Sequence, residues 1–173
     1  MRLLLSILLT VNAVQLLAQG EIRDNTNPAL PSSYDFQEYV FPEPDDQGTC
    51  SGNVNTTAMI EEVFVAQTHR HEIGHPLFFM VGHRPALLQL AVTGSGAAPD
   101  VQVMGTRNGS TLGTLCLKGP ANLPVAIDLR TPDFANYFSV TLPKDWVQDG
   151  LELVVTAGAQ SRTITPEDLK IGP

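Results

Sequence analysis

Short runs of β-branched and aromatic residues, separated by Gly and Pro at close spacing, follow one another from about Ile60 to Pro173. This pattern predicts a single all-β domain over residues 59–173, an antiparallel β-sandwich of the Ig-like or jelly-roll-like type. About 110 residues are enough for one hydrophobic core. The predicted strands are Val63–Thr68, Ala86–Thr93, Asp100–Thr106, Thr111–Lys118, Val125–Leu129, Tyr137–Leu142, Leu151–Ala157, Ser161–Ile164 and Asp168–Ile171.

The hairpin around Asn108-Gly109 is the most specific local prediction. Strand-like runs flank the segment Arg107–Ser110, and Asn-Gly tolerates the positive φ angles of a type I′ turn. We therefore expect the third and fourth strands to pair directly.

The segment Tyr137–Val147 predicts a strand followed by a turn. Apolar and more polar residues alternate along Tyr137–Leu142, so we expect one face of this strand to be buried and the other to be solvated. Pro143–Val147 then predicts a turn that places Trp146 on the core as a packing residue.

The N-terminal region differs from the rest of the chain. Leu3–Leu17 is apolar, follows Arg2 and precedes the small residues of Ala18–Gly20, which predicts a secretory signal peptide over residues 1–20. Its apolar run is shorter than the ~20 residues of a membrane-spanning helix, so we expect a secreted protein without a transmembrane segment. Residues 21–58 are rich in Pro and acidic residues and predict a flexible leader, in which Tyr34–Phe41 is an alternative short strand.

The net charge of the chain limits the class of partner. The formal net charge is −8, which argues against nucleic acid as a partner because phosphates require a basic patch.

An exported chain can oxidise Cys50 and Cys116 to a disulfide, although two free thiols are the alternative. Asn55 and Asn108 begin N-x-S/T sequons, which are candidate glycosylation sites if the source is eukaryotic.

The strongest chemical motif is His71-Glu72-Ile73-Gly74-His75, within a cluster that holds all four histidines of the chain. The letters match the H-E-x-x-H signature of zinc metallopeptidases, in which a helix brings both imidazoles to one ion and the glutamate activates water. Pro76 opposes this reading because it cannot donate a helical hydrogen bond and disfavours the α conformation at His75. We therefore expect the motif at a strand end, in a loop.

A zinc site would also need a third ligand. The extended motif of metzincins requires histidine at position 81, where this chain has Val81, and His83 comes two residues late. We therefore predict no catalytic residue, no metal ligand and no cofactor in this chain. Two alternatives stay open: a small zinc peptidase that uses His71, His75 and His83 with Glu72 as base, and metal capture without catalysis by His69 and His71.

Seven short segments follow one another along the predicted domain: Val65–His69, Arg84–Leu88, Leu112–Leu115, Gly119–Pro124, Ser139–Pro143, Trp146-Val147 with Gly150-Leu151, and Leu169–Gly172. In this order and spacing they resemble the N-terminal β-sandwich module of the StcE-like secreted zinc metallopeptidases, which include mucinases and dictomalleins. The match covers about Val63 to Pro173.

The resemblance implies that this module and the catalytic site belong to different domains. In that family the zinc and the catalytic helix belong to a peptidase domain downstream of the module, so the family's catalytic residues map onto no position here. His71–His75 corresponds to a variable loop between the module's first two strands. The implied function is a non-catalytic accessory module, either a fragment of a longer peptidase or a relative that lost the peptidase domain. The implied partners are glycoprotein or mucin-type surfaces, or the peptidase domain itself.

Overall fold

The computed structural model describes residues 48–130 and 133–172. These residues all belong to one compact unit. The predicted signal peptide, most of the predicted leader and the alternative strand Tyr34–Phe41 lie outside the described residues. Within the described residues, no helix is long and apolar enough to cross a membrane.

The fold is an antiparallel β-sandwich, as the sequence predicts. Sheet I has the strand order β2-β1-β4-β7, and sheet II has the order β6-β5-β8-β9; all neighbours within each sheet are antiparallel. A parallel pair, β3 with β10, lies beside them. The elements are β1 (Met59–Ala66), β2 (Arg70–Glu72), β3 (Met80–Val81), β4 (Ala86–Thr93), β5 (Val101–Arg107), β6 (Ser110–Cys116), a 3-10 turn (Phe134–Asn136), β7 (Tyr137–Leu142), β8 (Leu151–Ala157), β9 (Gln160–Ile164), α1 (Pro166–Leu169) and β10 (Ile171–Gly172).

The main core lies between the two sheets. Alternate residues of each strand point inward, because side chains alternate across a strand, and these positions carry apolar residues, mostly Val and Leu. From sheet I they include Val63, Val65, Leu88, Leu90, Phe138 and Val140; from sheet II they include Val101, Val103, Leu151, Leu153, Val155 and Ile164. Glu62 and Arg162 form an ion pair at 2.9 Å that joins β1 to β9 at the margin of this core.

Trp146 packs on the core, as the turn Pro143–Val147 predicts. Its indole ring lies against the paired glycines Gly105 and Gly113 of β5 and β6. A Cβ atom at Gly105 would lie 2.6 Å from Cε3 of the indole, and one at Gly113 would lie 3.2 Å from Cζ2. The two glycines therefore make room for the largest side chain of the core.

The hairpin prediction is confirmed. Strands β5 and β6 are joined by Asn108 (φ 50°) and Gly109 (φ 80°), and the two positive φ angles are those that a type I′ turn requires.

Three predictions about strands are wrong. Val125–Leu129 forms no strand. Asp168–Ile171 is split between α1 and β10, because the Asp168 carboxylate accepts hydrogen bonds from the backbone N–H and the hydroxyl of Thr165, both at 2.9 Å. This capping arrangement, with Pro166 at the first helical position, starts a helical turn where alternation predicts a strand.

The third wrong prediction concerns the outward face of β7. Tyr137 and Thr141 point away from the main core, yet they are 2% and 5% exposed. Tyr137 packs with Phe64, Ala91 and Ile127 in a second apolar cluster on the outer face of sheet I. Sheet I is therefore covered on both faces, so the expected solvated face is absent.

Residues 48–58, which the sequence assigns to the leader, are bonded to the sandwich. Cys50 and Cys116 form a disulfide with a Cα–Cα distance of 5.6 Å, which confirms the bonded alternative. The Gly48 N–H donates to the Cys116 carbonyl at 3.0 Å, and the Asn55 side chain donates to the carbonyls of Ser95 and Ala97 at 2.9 and 2.7 Å. These contacts connect the segment before β1 to strand β6 and to the β4–β5 connection.

Candidate binding site at the edge strand β2

The motif His71–His75 lies on an edge strand and the turn that follows it. His71 pairs with Val65 and Glu72 pairs with Phe64 in the β1–β2 ladder. Ile73 and Gly74 then form a turn, in which Gly74 has a φ of 79° and the His75 N–H donates to the Glu72 carbonyl at 3.3 Å. The two histidines are therefore not stacked on one helical face.

Local sequence explains this conformation. Pro76 follows His75 and cannot continue a helical hydrogen-bond ladder, and Gly74 supplies the positive φ of the turn. The Ile73 N–H donates to the Val63 carbonyl at 3.1 Å, so the chain stays attached to β1 until the turn. As expected, the motif begins at a strand end, although its first two residues belong to the strand itself.

The structure brings two of the four histidines together. The ring centroids of His71 and His75 are 5.9 Å apart, and His71 also lies 5.4 Å from the Phe78 ring. His69 lies on the bend between β1 and β2, where its Nδ1 is 3.2 Å from the Thr68 hydroxyl.

His83 lies elsewhere, in a recess with Arg107, Asn108 and Gln148. The backbone N–H of His83 donates to the Val147 carbonyl at 2.8 Å, and the φ angle of His83 is 59°. Across residues 48–130 and 133–172, no three His, Cys, Asp or Glu side chains are placed to hold one metal ion. The ligand set His71, His75 and His83 is therefore not assembled.

The loop after the motif holds two large apolar side chains outward. Leu77 is 80% exposed and Phe79 is 68% exposed, whereas Phe78 between them is buried in the core. The loop is well bonded: the Phe78 N–H donates to the His75 carbonyl at 3.0 Å, and the Lys170 ammonium donates to the carbonyls of His75 and Pro76 at 3.3 and 3.4 Å. The exposed pair is therefore preorganised.

A small recess lies between this loop and the β1–β2 bend. We call it the basic recess; its volume is about 200 Å³, and it is lined by Gln67, Thr68, His69, His71, Leu77, Phe78, Phe79, Val81 and Arg84. The Gln67 amide shapes it by donating to the carbonyls of Val81 and Arg84 and by accepting from the Val81 N–H at 2.8 Å. The recess therefore combines an apolar wall with basic side chains.

A second, larger recess opens on the other side of β2. We call it the acidic recess because Glu72 is its carboxylate; its volume is about 490 Å³, and its other lining residues are Phe64, Arg70, His71, His75 and Leu129. The Arg70 guanidinium lies 3.5 Å from the Phe64 ring centroid and 4.3 Å from that of Tyr137, a cation–π stack that partly offsets its desolvation.

Two donor atoms of that guanidinium, Nε and Nη2, are buried without an acceptor among the described residues. Because these atoms are inaccessible, Arg70 covers the outer aromatic cluster of sheet I and cannot offer them to a ligand in this conformation. Besides Arg70, the polar side chains that line the acidic recess are His71, Glu72 and His75.

The two sequons differ in their surroundings. The Asn55 amide nitrogen, which would carry a glycan, already donates to two backbone carbonyls, and its amide oxygen accepts from Thr57. Asn108 is exposed at the tip of the β5–β6 hairpin. Of the two, Asn108 has the side chain that a modifying enzyme could reach in the folded protein.

Comparison with known proteins adds no assignment. No protein-family model matches the chain, and no curated protein is significantly similar to it.

The basic recess depends on residues that the sequence did not mark as binding residues. The histidine cluster indicated the right segment, and Arg84 belongs to one of the segments that carry the resemblance, but nothing in the sequence gave Arg84, Leu77 or Phe79 a role in a site. For Leu77 and Phe79 the one sequence signal is the apolar run Leu77–Val81 after Pro76. Their convergence depends on the path of the β2–β4 connection.

Proposed function

We propose that this chain is a non-catalytic accessory module that binds glycoprotein surfaces, of the kind that accompanies secreted zinc metalloendopeptidases. The observation that carries this proposal is the position of the motif His71–His75 on an edge strand and a turn. In a zinc peptidase the two histidines share one helical face. In this chain, residues of the motif line two surface recesses instead.

The architecture supports a binding role. A sandwich with a disulfide provides a rigid scaffold, and binding residues commonly lie on loops that such a scaffold positions. The β1–β2 bend and the β2–β3 loop are held by the Gln67 and Lys170 hydrogen bonds, so little ordering entropy is lost when a ligand binds. The disulfide is also compatible with an extracellular protein.

The test measures binding and cleavage on the same material. The purified chain is incubated with a mucin-type glycoprotein, with and without Zn²⁺. We expect saturable binding by surface plasmon resonance and no zinc-dependent cleavage products on a gel. Zinc-dependent cleavage that is lost in Glu72→Gln but retained in Glu167→Gln, a matched exposed control, would contradict the proposal. Absence of any binding would contradict it as well.

Metal capture is the second candidate function, favoured by the 5.9 Å separation of the His71 and His75 rings. Two imidazoles that bind one ion with Zn–N distances of about 2.1 Å have their ring centroids at a similar spacing. This pair, His71 with His75, differs from the pair expected from strand alternation, which was His69 with His71. Calorimetric titration with Zn²⁺ or Cu²⁺ tests it: heat of binding that His75→Ala abolishes and His83→Ala leaves intact supports it, and no heat at micromolar metal excludes it.

A further inference from the structure

The basic recess has an unusual charge for this chain. The chain carries a formal net charge of −8, yet the recess is lined by Arg84, His69 and His71 and by no carboxylate. The one carboxylate of the neighbouring strand, Glu72, lines the acidic recess instead. The basic recess is therefore complementary to an anionic group.

Arg84 is the strongest anion-binding group in the recess. Its side chain is exposed, and within the described residues its guanidinium makes no hydrogen bond or ion pair, since only its backbone carbonyl is bonded, to Gln67. An arginine in this state can offer two parallel N–H donors to a carboxylate. No internal partner has to be displaced first.

The apolar wall limits the kind of ligand. The exposed side chains of Leu77 and Phe79 line the recess together with the buried Phe78. A volume of about 200 Å³ is smaller than the ~300–1,000 Å³ of sites for drug-sized ligands. It has room for the ring and carboxylate of one monosaccharide, whose C–H face can pack on an aromatic or aliphatic side chain, and longer substituents of the sugar would lie outside the recess.

We propose that the basic recess binds a terminal acidic monosaccharide, a sialic acid, through its carboxylate. Arg84 forms the charge-assisted pair with the carboxylate, His69 and His71 offer ring nitrogens to hydroxyl groups, and Leu77 with Phe79 contact the apolar ring face and the N-acetyl methyl group. This inference rests on the proposed function, because it names the part of a glycoprotein that the module recognises.

The first arm of the test uses two free sugars of the same shape. Binding of the methyl glycoside of N-acetylneuraminic acid is measured by ligand-observed NMR, beside the same sugar with its carboxylate converted to a carboxamide. A hydrogen-bonded charged group contributes about tenfold or more to affinity. We expect the carboxamide to bind at least about tenfold more weakly; equal binding, or no binding of the acidic sugar, would overturn the proposal.

The second arm uses variants of the chain. Arg84→Ala is expected to weaken binding of the acidic sugar by about tenfold or more, and Arg84→Lys is expected to restore part of the loss because it keeps the charge without the fork. Lys144→Ala removes an exposed charge outside the recess and is the matched control. Thermal unfolding confirms that all variants are folded. An equal loss in Arg84→Ala and Lys144→Ala would overturn the proposal.

The third arm separates this inference from the proposed function. Mucin-type glycoprotein is compared before and after sialidase treatment. Loss of binding after treatment supports both proposals, whereas unchanged binding overturns the sialic acid assignment and leaves the glycoprotein-binding function standing. Binding of the free acidic sugar without binding of the glycoprotein supports the recess and overturns the function. Acetate bound as tightly as the sugar would show recognition of a carboxylate alone and overturn the assignment.

Discussion

The two sheets of the sandwich use the same inward alternation but differ on their outer faces. In sheet I every residue of β4 is buried, and the outer residues Phe64, Ala91 and Tyr137 form a second apolar cluster. In sheet II, β8 alternates between buried and half-buried residues, and Met104 of β5 is 38% exposed on the outside. Sheet I thus has two covered faces, and sheet II has one.

This difference explains where the candidate site lies. A sheet that is covered on both faces offers a ligand only its edges and connecting loops. One of the two edge strands of sheet I is the three-residue strand β2, and its residues line both recesses. The candidate binding residues therefore lie at an edge of sheet I, the more buried of the two sheets.

The largest expected effect comes from the disulfide that attaches the edge of sheet II to the segment before sheet I. The double variant Cys50→Ala/Cys116→Ala opens a loop with a sequence separation of 66 residues. Loop-closure entropy then predicts a loss of about 4 kcal/mol in the free energy of unfolding, measured by urea titration. Equal stability of the variant and the parent chain would show that residues 48–58 do not constrain the two sheets.

The second prediction compares the outer faces directly. Leu87 on the outer face of sheet I is 2% exposed, so Leu87→Ala should lower the free energy of unfolding by about 3 kcal/mol, as for a core leucine. Met104→Ala on the outer face of sheet II should cost less than about 1 kcal/mol because its side chain is already partly hydrated. Chemical denaturation of both variants checks this. Similar losses would contradict the distinction between the sheets.

The third prediction concerns the inner face of sheet II. Gly105→Ala places a Cβ atom 2.6 Å from Trp146, and overpacking of this kind costs about 2 kcal/mol. Trp146→Phe removes the clashing ring edge, so the double variant should lose less than the sum of the two single variants. Additive losses in a double-mutant cycle would mean that the indole does not rest on the glycine pair.

The smallest expected effect concerns the ion pair between the sheets. Arg162 and Glu62 are 38% and 23% exposed, and pairs screened by solvent contribute about 0–1 kcal/mol. Arg162→Ala should therefore change the free energy of unfolding by less than about 1 kcal/mol, and 1 M NaCl should reduce the difference. A loss above about 2 kcal/mol would mean that the pair stabilises the contact between the sheets more than its exposure predicts.

Much of the fold could be predicted from the sequence because alternation and turn chemistry are local signals. The strands Ala86–Thr93, Tyr137–Leu142 and Leu151–Ala157 have the predicted bounds, and the Asn108-Gly109 turn is read from two residues. Local signals are insufficient where tertiary packing decides. The outward residues of β7 look like a solvated face in sequence, but Tyr137 is covered by a cluster from distant parts of the chain.

The short elements were not predictable for a different reason. β2, β3 and β10 have two or three residues each, fewer than any alternation pattern can identify, and they form because neighbouring strands offer hydrogen-bond partners. The candidate site shows the same limit: the histidine cluster was visible in the sequence, whereas the approach of Arg84 to His69 and Phe79 depends on the path of the β2–β4 connection.

The most direct test of the account is an NMR titration that follows the four imidazole rings while the methyl glycoside of N-acetylneuraminic acid is added. His69 and His71 line the basic recess, whereas His83 lies in a separate recess with Arg107 and Gln148. We expect the resonances of His69 and His71 to shift with saturation and those of His83 to stay in place. Equal shifts for all four rings, or none for His69 and His71, would contradict the assignment of binding to the edge of sheet I.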